Sequence, residues 1–292
     1  VLNMLTAQRA RHSTPAIGRA SKVLRYRGIS TPPAFTVQVT NREQITPKLL
    51  KMQPEVLYVP LHILAADPAF TQGLAAHCRV CAVVPRIVHD RELAFMQQKL
   101  LGVKALGVTE VLIGNVGLLI PVRECGMRIR GDFGLNLYSS AAVNFARDLQ
   151  LRSACLSFEM TLPQIRDVSK AVPCEILAYG RLPLMITENC LMQCRTGQCS
   201  CNTMPAKLTD KTGAEFPIIK EGDTCRSVLL NGKKLYWLDR QADLDRLGLW
   251  AKRLYFTTEN PIEVDRVLSA CTDPTPFDPG VSTRGLYLRG VE

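Results

Sequence analysis

The sequence predicts an α/β protein, a (β/α)8 TIM-like barrel with a cysteine-rich insertion between its seventh and eighth strands. Three observations carry this. Seven short apolar runs recur with starts roughly 16–30 residues apart, near the pitch of a βα unit. An eighth run, Arg253–Phe256, follows only after a gap of some 75 residues. Five of the 11 cysteines fall in that gap: Cys190, Cys194, Cys199, Cys201 and Cys225. Eight units close a barrel of about 250 residues, and the chain has 292, of which 47% are hydrophobic. An open doubly wound sheet is the alternative topology.

The runs are Phe35–Val39, Val56–Val59, Cys81–Val84, Val111–Ile113, Met127–Ile129, Ala154–Phe158 and Glu175–Ala178. Most are continuous and do not alternate polar with apolar, as expected of strands buried on both faces. Helical patterns lie between them. RELAFMQQKLL (Arg91–Leu101) has apolar residues at helical spacing. Ser139 and Thr161 are N-cap candidates, and Pro163 falls in a first turn, where proline is tolerated. Asn260 caps a helix opened by Pro261. The step from Val111 to Met127 is the shortest and leaves little room for a helix.

Four segments follow: a basic arm or linker at 1–34, the barrel at 35–292, the insertion at 188–238 and a tail at 273–292. In the insertion, KLTDKTGAEFPIIKEG reads as a hairpin turning at Asp210–Gly213. SVLLNGKKLYWLD reads as a second hairpin about Asn231–Gly232. The tail, rich in proline and glycine, reads as irregular.

The residues just past the strands are polar: His62, Arg86, His89, Asn115, Asp132, Asn136, Glu159, Tyr179, Arg181 and Glu259. In a barrel they converge on one mouth. Arg86 and Arg181 are expected to hold an anionic ligand or a nucleotide, with Asn115, Asn136 and Tyr179 as further binding residues. Glu159 and Asp132 are the candidates for moving protons, and His62 or His89 for a base. Strand-end hydrogen bonding and helix capping are the competing explanation for each. Dinucleotide fingerprints, phosphate loops, G-x-S-x-G elbows and HExxH helices are absent from the sequence. Cys78 and Cys81 form a C-x-x-C without a second pair nearby, which favours core packing over redox or metal chemistry.

The clustered thiols have spacings C-x3-C, C-x4-C, C-x-C and then 23 residues to Cys225. Zinc ribbons usually repeat C-x2-4-C. Cys199 and Cys201 point to one side of an extended chain, which suits neighbouring irons of one cluster. An iron–sulfur cluster, a zinc site and unligated thiols all stay open on spacing alone. Four scattered histidines argue against a histidine-rich metal site.

The net charge is +10, and residues 1–42 carry seven arginines or lysines without an acid before Glu43. Two readings compete, an arm for phosphate backbone and a basic linker to another domain. No apolar run reaches the ~18–20 residues of a membrane span, and the N-terminal segment lacks a secretory h-region. A cytoplasmic location is expected, where metal ligation is favoured over disulfides. The missing initiator methionine suggests a piece of a longer chain.

The runs GRLPLMITENC, GQCSC, LTDKTGAEFP, CRSVLLNGKKLYWLD and RLYFTTEN closely resemble peptidase family U32, the collagenase-like proteases. IGNVG, RGDFGLNLYSS and SFEMTLPQI resemble its barrel, and STRGLYLRGVE the end of its larger members. The resemblance covers about residues 35–292 and implies the C-terminal part of a larger member. It implies a peptidase, or a factor for oxygen-independent hydroxylation of tRNA, rRNA or a quinone precursor; a non-catalytic RNA- or partner-binding barrel with a structural metal is the third reading. The hydroxylating members carry a four-cysteine iron–sulfur cluster, 4Fe-4S being the expected type, and the RNA-directed ones are linked to prephenate as hydroxyl source. The implied ligands are Cys190, Cys199, Cys201 and Cys225, with Cys194 as an extra or alternative thiol.

Overall fold

A computed structural model describes residues 23–197, 206–272 and 278–290. Eight parallel strands alternate with helices: β1 (Ala34–Gln38), β2 (Leu57–Pro60), β3 (Val80–Val83), β4 (Glu110–Ile113), β5 (Arg128–Gly131), β6 (Ala154–Cys155), β7 (Cys174–Gly180) and a last strand, Ala251–Tyr255. That last strand pairs in parallel with both β1 and β7, so the sheet closes and the open-sheet alternative is excluded. The expected cap residues hold: Ser139 Oγ accepts from Ala142 N, and Thr161 makes a reciprocal capping box with Gln164. Asn260 Oδ1 likewise accepts from Glu263 N at 3.0 Å. The short step from β4 to β5 still holds a single 3-10 turn and the six-residue helix Leu119–Glu124.

Pro183–Thr187, just before the insertion, joins three of its strands in a separate antiparallel sheet of β8 (Pro183–Thr187), β9 (Ala206–Thr209), β10 (Glu215–Lys220) and β11 (Ser227–Leu230), in the order β8-β11-β10-β9. Its pleat sorts the apolar residues. Ile186, Val228 and Ile219 pair across one face, and Met185, Leu229 and Ile218 across the other. The hairpin at Asp210–Gly213 is present, with Asp210 Oδ1 accepting from Thr212 and Ala214 amides. The second expected hairpin is not. β11 stays in the small sheet, whereas β12 (Lys234–Tyr236) crosses to the barrel and runs antiparallel to β7. Asn231–Gly232 is therefore a crossover between sheets. The turn dipeptide marks a bend but does not choose the partner strand.

The last strand is β13 (Ala251–Tyr255), and β14 (Ser282–Thr283) pairs with β12. The tail is ordered by packing: Tyr287 is fully buried and its hydroxyl donates to Leu177 O at 2.8 Å. At the other end, Ile29 N donates to Gly248 O and Lys170 N to Tyr26 O, which binds the described part of the basic arm to the barrel base, before strands β13 and β7. Its residues 1–22 lie outside the described ones.

Barrel interiors are normally filled by branched apolar side chains. Here the interior holds a charged network. Arg253 is fully buried and pairs with Glu175 and Asp132 at 2.5 Å each, and with Gln38 at 2.8 Å. Glu175 also accepts from Thr36 and Tyr58 hydroxyls at 2.7 and 2.8 Å. Arg130 pairs with Glu110 at 2.7 Å one layer away. Charges survive such burial only when paired and hydrogen-bonded on most sides.

Candidate functional site

The C-terminal ends of the strands open into a cavity of about 460 Å³. The barrel supplies its floor through Gln38, Asp132, Phe133 and Tyr255, and the inner face of the small sheet roofs it through Ile186, Ile219 and Val228. His62, Arg86, Glu221 and Cys225 line the same space.

The roof is bolted to the barrel through the helix Asp90–Ala105 and the loop just before it. Glu92 and Lys99 lie seven residues apart, two turns along one face. Lys99 pairs with Asp223, and Glu92 accepts both ways from Arg226 at 2.9 Å. The Arg226 side chain is 3% exposed and also donates to Glu188 at 2.5 Å and to Ile87 O at 3.0 Å. Arg226 follows Cys225 directly, and Glu188 lies two residues before Cys190. Thr187 pairs with Ser227, and Leu191 N donates to Ser227 Oγ at 3.2 Å. The segments bearing Cys190 and Cys225 are thereby laced together at the rim of the mouth.

Cys190 caps the short helix Leu191–Thr196, its sulfur accepting from Gln193 N at 3.4 Å. Cys225 and Cys194 are exposed. Cys199 and Cys201 lie outside the described residues. Among the described residues, no three His, Cys, Asp or Glu side chains gather as a metal site. Cys78 and Cys81 are packing residues: burial pushes the Cys78 thiol up to about 11 and the fully buried Cys81 thiol well above its usual value.

Arg86 is exposed at the cavity, and no ion pair or hydrogen bond engages its guanidinium among the described residues. Its carbon chain runs against Gly114 and Gly134. A Cβ on Gly134 would sit 2.6 Å from Gly114 O and 3.1 Å from Arg86 Nε. The glycines of IGNVG and GDFG thus make room for the arginine. Asn115 holds the same loop, donating to Arg86 O at 3.3 Å and capping Gly117 N at 2.9 Å. Asn136 is exposed in a left-handed turn, φ 49°, and lines no described cavity. Glu159 is exposed and does not line this cavity.

Tyr179 and Arg181 do not join Arg86. They line a second cavity of about 750 Å³ that shares no lining residue with the first. Tyr179 is buried and its hydroxyl donates to Glu259 at 3.1 Å, an internal hydrogen bond. Convergence of strand ends was legible in the sequence. The division of the mouth by the small sheet was not.

Glu221, which sequence reasoning missed, closes the first cavity. Its Oε1 accepts from Arg86 N at 2.9 Å, while its Oε2 is buried without a partner. Burial raises its pKa, more than Arg86 and Arg226 lower it. Asp132 is likewise raised by burial, despite Arg253. His62 moves the other way: burial lowers its pKa and outweighs the Asp223 carboxylate, which raises it. A histidine depressed in the fold is favoured neutral. Its contribution is whole above the unfolded value of about 6.5 and is lost as pH falls through the folded value. The His62 ring proton is expected to titrate below pH ~6.5 by NMR, and Asp223→Asn to lower the midpoint further; a midpoint above 7 would contradict this.

The model of peptidase family U32 matches residues 68–261. The chain belongs to peptidase family U32. A search of curated proteins finds no match. Among solved structures, this U32 protein is similar to the U32 peptidase Mk0906, with 9% identity over 56% of this chain and 75% of that one, TM-score 0.40. It is also similar to a putative copper homeostasis protein, CutC from Streptococcus agalactiae, with 8% identity over 49% and 87%, TM-score 0.38. No helix among the described residues is long and apolar enough to cross a membrane.

Proposed function

We propose that this U32 protein is an iron–sulfur protein of RNA hydroxylation, with a small carboxylate such as prephenate bound at the barrel mouth. The observation that carries the reading is the placement of Cys225 on the cavity lining, laced to Cys190 through Arg226, Glu188 and Ser227. Soft thiolates of this kind suit iron–sulfur ligation. Cys190 and Cys225 would hold the cluster together with Cys199 and Cys201. Bound there, the cluster would supply a Lewis-acidic, redox-active iron beside the cavity.

The chain's own groups have defined tasks around it. The unpaired Arg86 guanidinium offers a fork for a carboxylate. Glu221 faces the cavity with its Oε2 free of a protein partner among the described residues and its pKa raised by burial, which makes it the candidate for passing a proton to a ligand oxygen. His62, neutral at pH 7, can accept one. The small sheet covers the floor through Ile186, Ile219 and Val228.

Proteolysis has less support. A cysteine nucleophile needs a base within hydrogen-bond reach, and no cysteine bonds a histidine among the described residues. His89 is taken by Glu188 at 3.0 Å. The buried Cys174 thiol and the half-buried Cys271 thiol are pushed up to about 12 by burial, away from the reactive thiolate.

The test is iron and acid-labile sulfide per chain after anaerobic purification. Cys225→Ser and Cys190→Ser are expected to lose most of both, and Cys271→Ser to keep them. Only trace iron in the unmodified chain, zinc in its place, or full iron in Cys225→Ser would overturn the proposal.

A further inference from the structure

We infer that the second cavity is a binding site for the phosphates of an RNA strand, separate from the mouth. The inference rests on the RNA reading above and locates the strand. Four cations line the cavity: Arg181, Lys233, Lys234 and Arg266. Of its three acids none pairs with these cations among the described residues, and Glu263 and Asp278 keep their charge. Glu215 pairs with Lys207, Glu263 accepts from Asn260 N at 2.9 Å, and Asp278 from Gly280 N at 2.8 Å. Lys234 leans on the buried Glu259 at 3.4 Å. Lys233 and Arg266 are exposed, without an acidic partner among the described residues.

Arg181 is fixed for anion binding. Its Nη1 donates to Asn231 O at 3.0 Å and to Gly232 O, and its Nε is buried with no acceptor. Among the described residues no carboxylate pairs with it. The crossover that supplies those carbonyls presses flat on β10: a Cβ on Gly232 would stand 2.4 Å from Glu215 O. A guanidinium held by carbonyls, with free cations on the rim, suits tetrahedral oxyanions on an extended strand. Such a surface holds the backbone and leaves the bases unread. It flanks the small sheet whose other side roofs the mouth, so a strand seated here lies beside the candidate chemistry.

The experiment is fluorescence anisotropy of a labelled single-stranded RNA with the full chain, over a salt series. The Lys233→Ala/Arg266→Ala double variant is expected to bind about tenfold more weakly, with the slope of log affinity against log salt smaller by about 1.4. The charge-matched control, Lys51→Ala/Lys211→Ala, lies outside both cavities and is expected to change little. Equal binding by the two double variants, or no RNA binding by the unmodified chain, would overturn the inference. Displacement of RNA by inorganic phosphate, where sodium chloride of equal ionic strength does not displace it, would assign the cavity to free phosphate and also overturn it. Iron content is measured on the same samples. Site-dependent RNA binding without iron would leave this inference standing while the iron–sulfur reading falls.

Discussion

Replacing Arg253 with methionine is expected to destabilise the barrel by about 3–5 kcal/mol, because it strands charge where water cannot reach. Glu175 and Asp132 would lose their shared counter-ion inside the barrel. In the native chain burial raises the Glu175 pKa, but Arg253 and the Thr36 and Tyr58 hydroxyls lower it further, and the net shift is downward. A depressed carboxylate adds stability above its unfolded pKa of about 4.3 and loses it as pH falls through the folded value. Without Arg253 that sign reverses. The deficit of Arg253→Met, read from urea midpoints, is expected to be smaller at pH 5 than at pH 8. Adding Glu175→Gln should restore part of the loss, since a neutral amide leaves less charge unpaired. A full-sized deficit in the double variant would place the Arg253 contribution in packing.

The second large effect is expected at Arg226, through which the roof is held. Arg226→Gln removes the fork shared by Glu92 and Glu188 and the bond to Ile87 O. Amide exchange in β8 and β11 should rise by an order of magnitude or more, while the barrel strands keep their protection. Loss of iron to a chelator should quicken in parallel, because both cysteine-bearing segments depend on this side chain. Glu188→Gln should do much less, since the Glu188 side chain is 53% exposed and exposed pairs contribute little. Similar exchange in Arg226→Gln and the unmodified chain would show that the roof is held by its apolar face alone.

The barrel was legible because strands buried on both faces leave continuous apolar runs, and all eight runs became strands. What escaped was the chemistry inside those runs. Glu175 in CEILAYG and Arg253 in AKRLY are fully buried and meet inside the barrel. A charge there can be tolerated only if another strand brings a partner, and the partners lie 78 and 121 residues from Arg253. Sequence proximity carries no trace of such pairs. Asn231–Gly232 was misread for a similar reason: the local bend was correct and the strand it served was distant. Arg86 was found because it follows a strand, and the two glycines that free its side chain stand in motifs already singled out. Glu221 and Arg226 lie in the insertion beside Cys225, and their partners Arg86 and Glu92 stand 135 and 134 residues away, so nothing local marks the pairing.

The central claim is that the inserted sheet carries its thiols to the barrel mouth to hold iron there. The most direct measurement is anomalous diffraction at the iron edge from crystals grown without oxygen. The account predicts one iron–sulfur peak at the cavity rim, bonded to the sulfurs of Cys225 and Cys190. A peak away from the mouth, or iron absent with the two sulfurs facing apart, would contradict it.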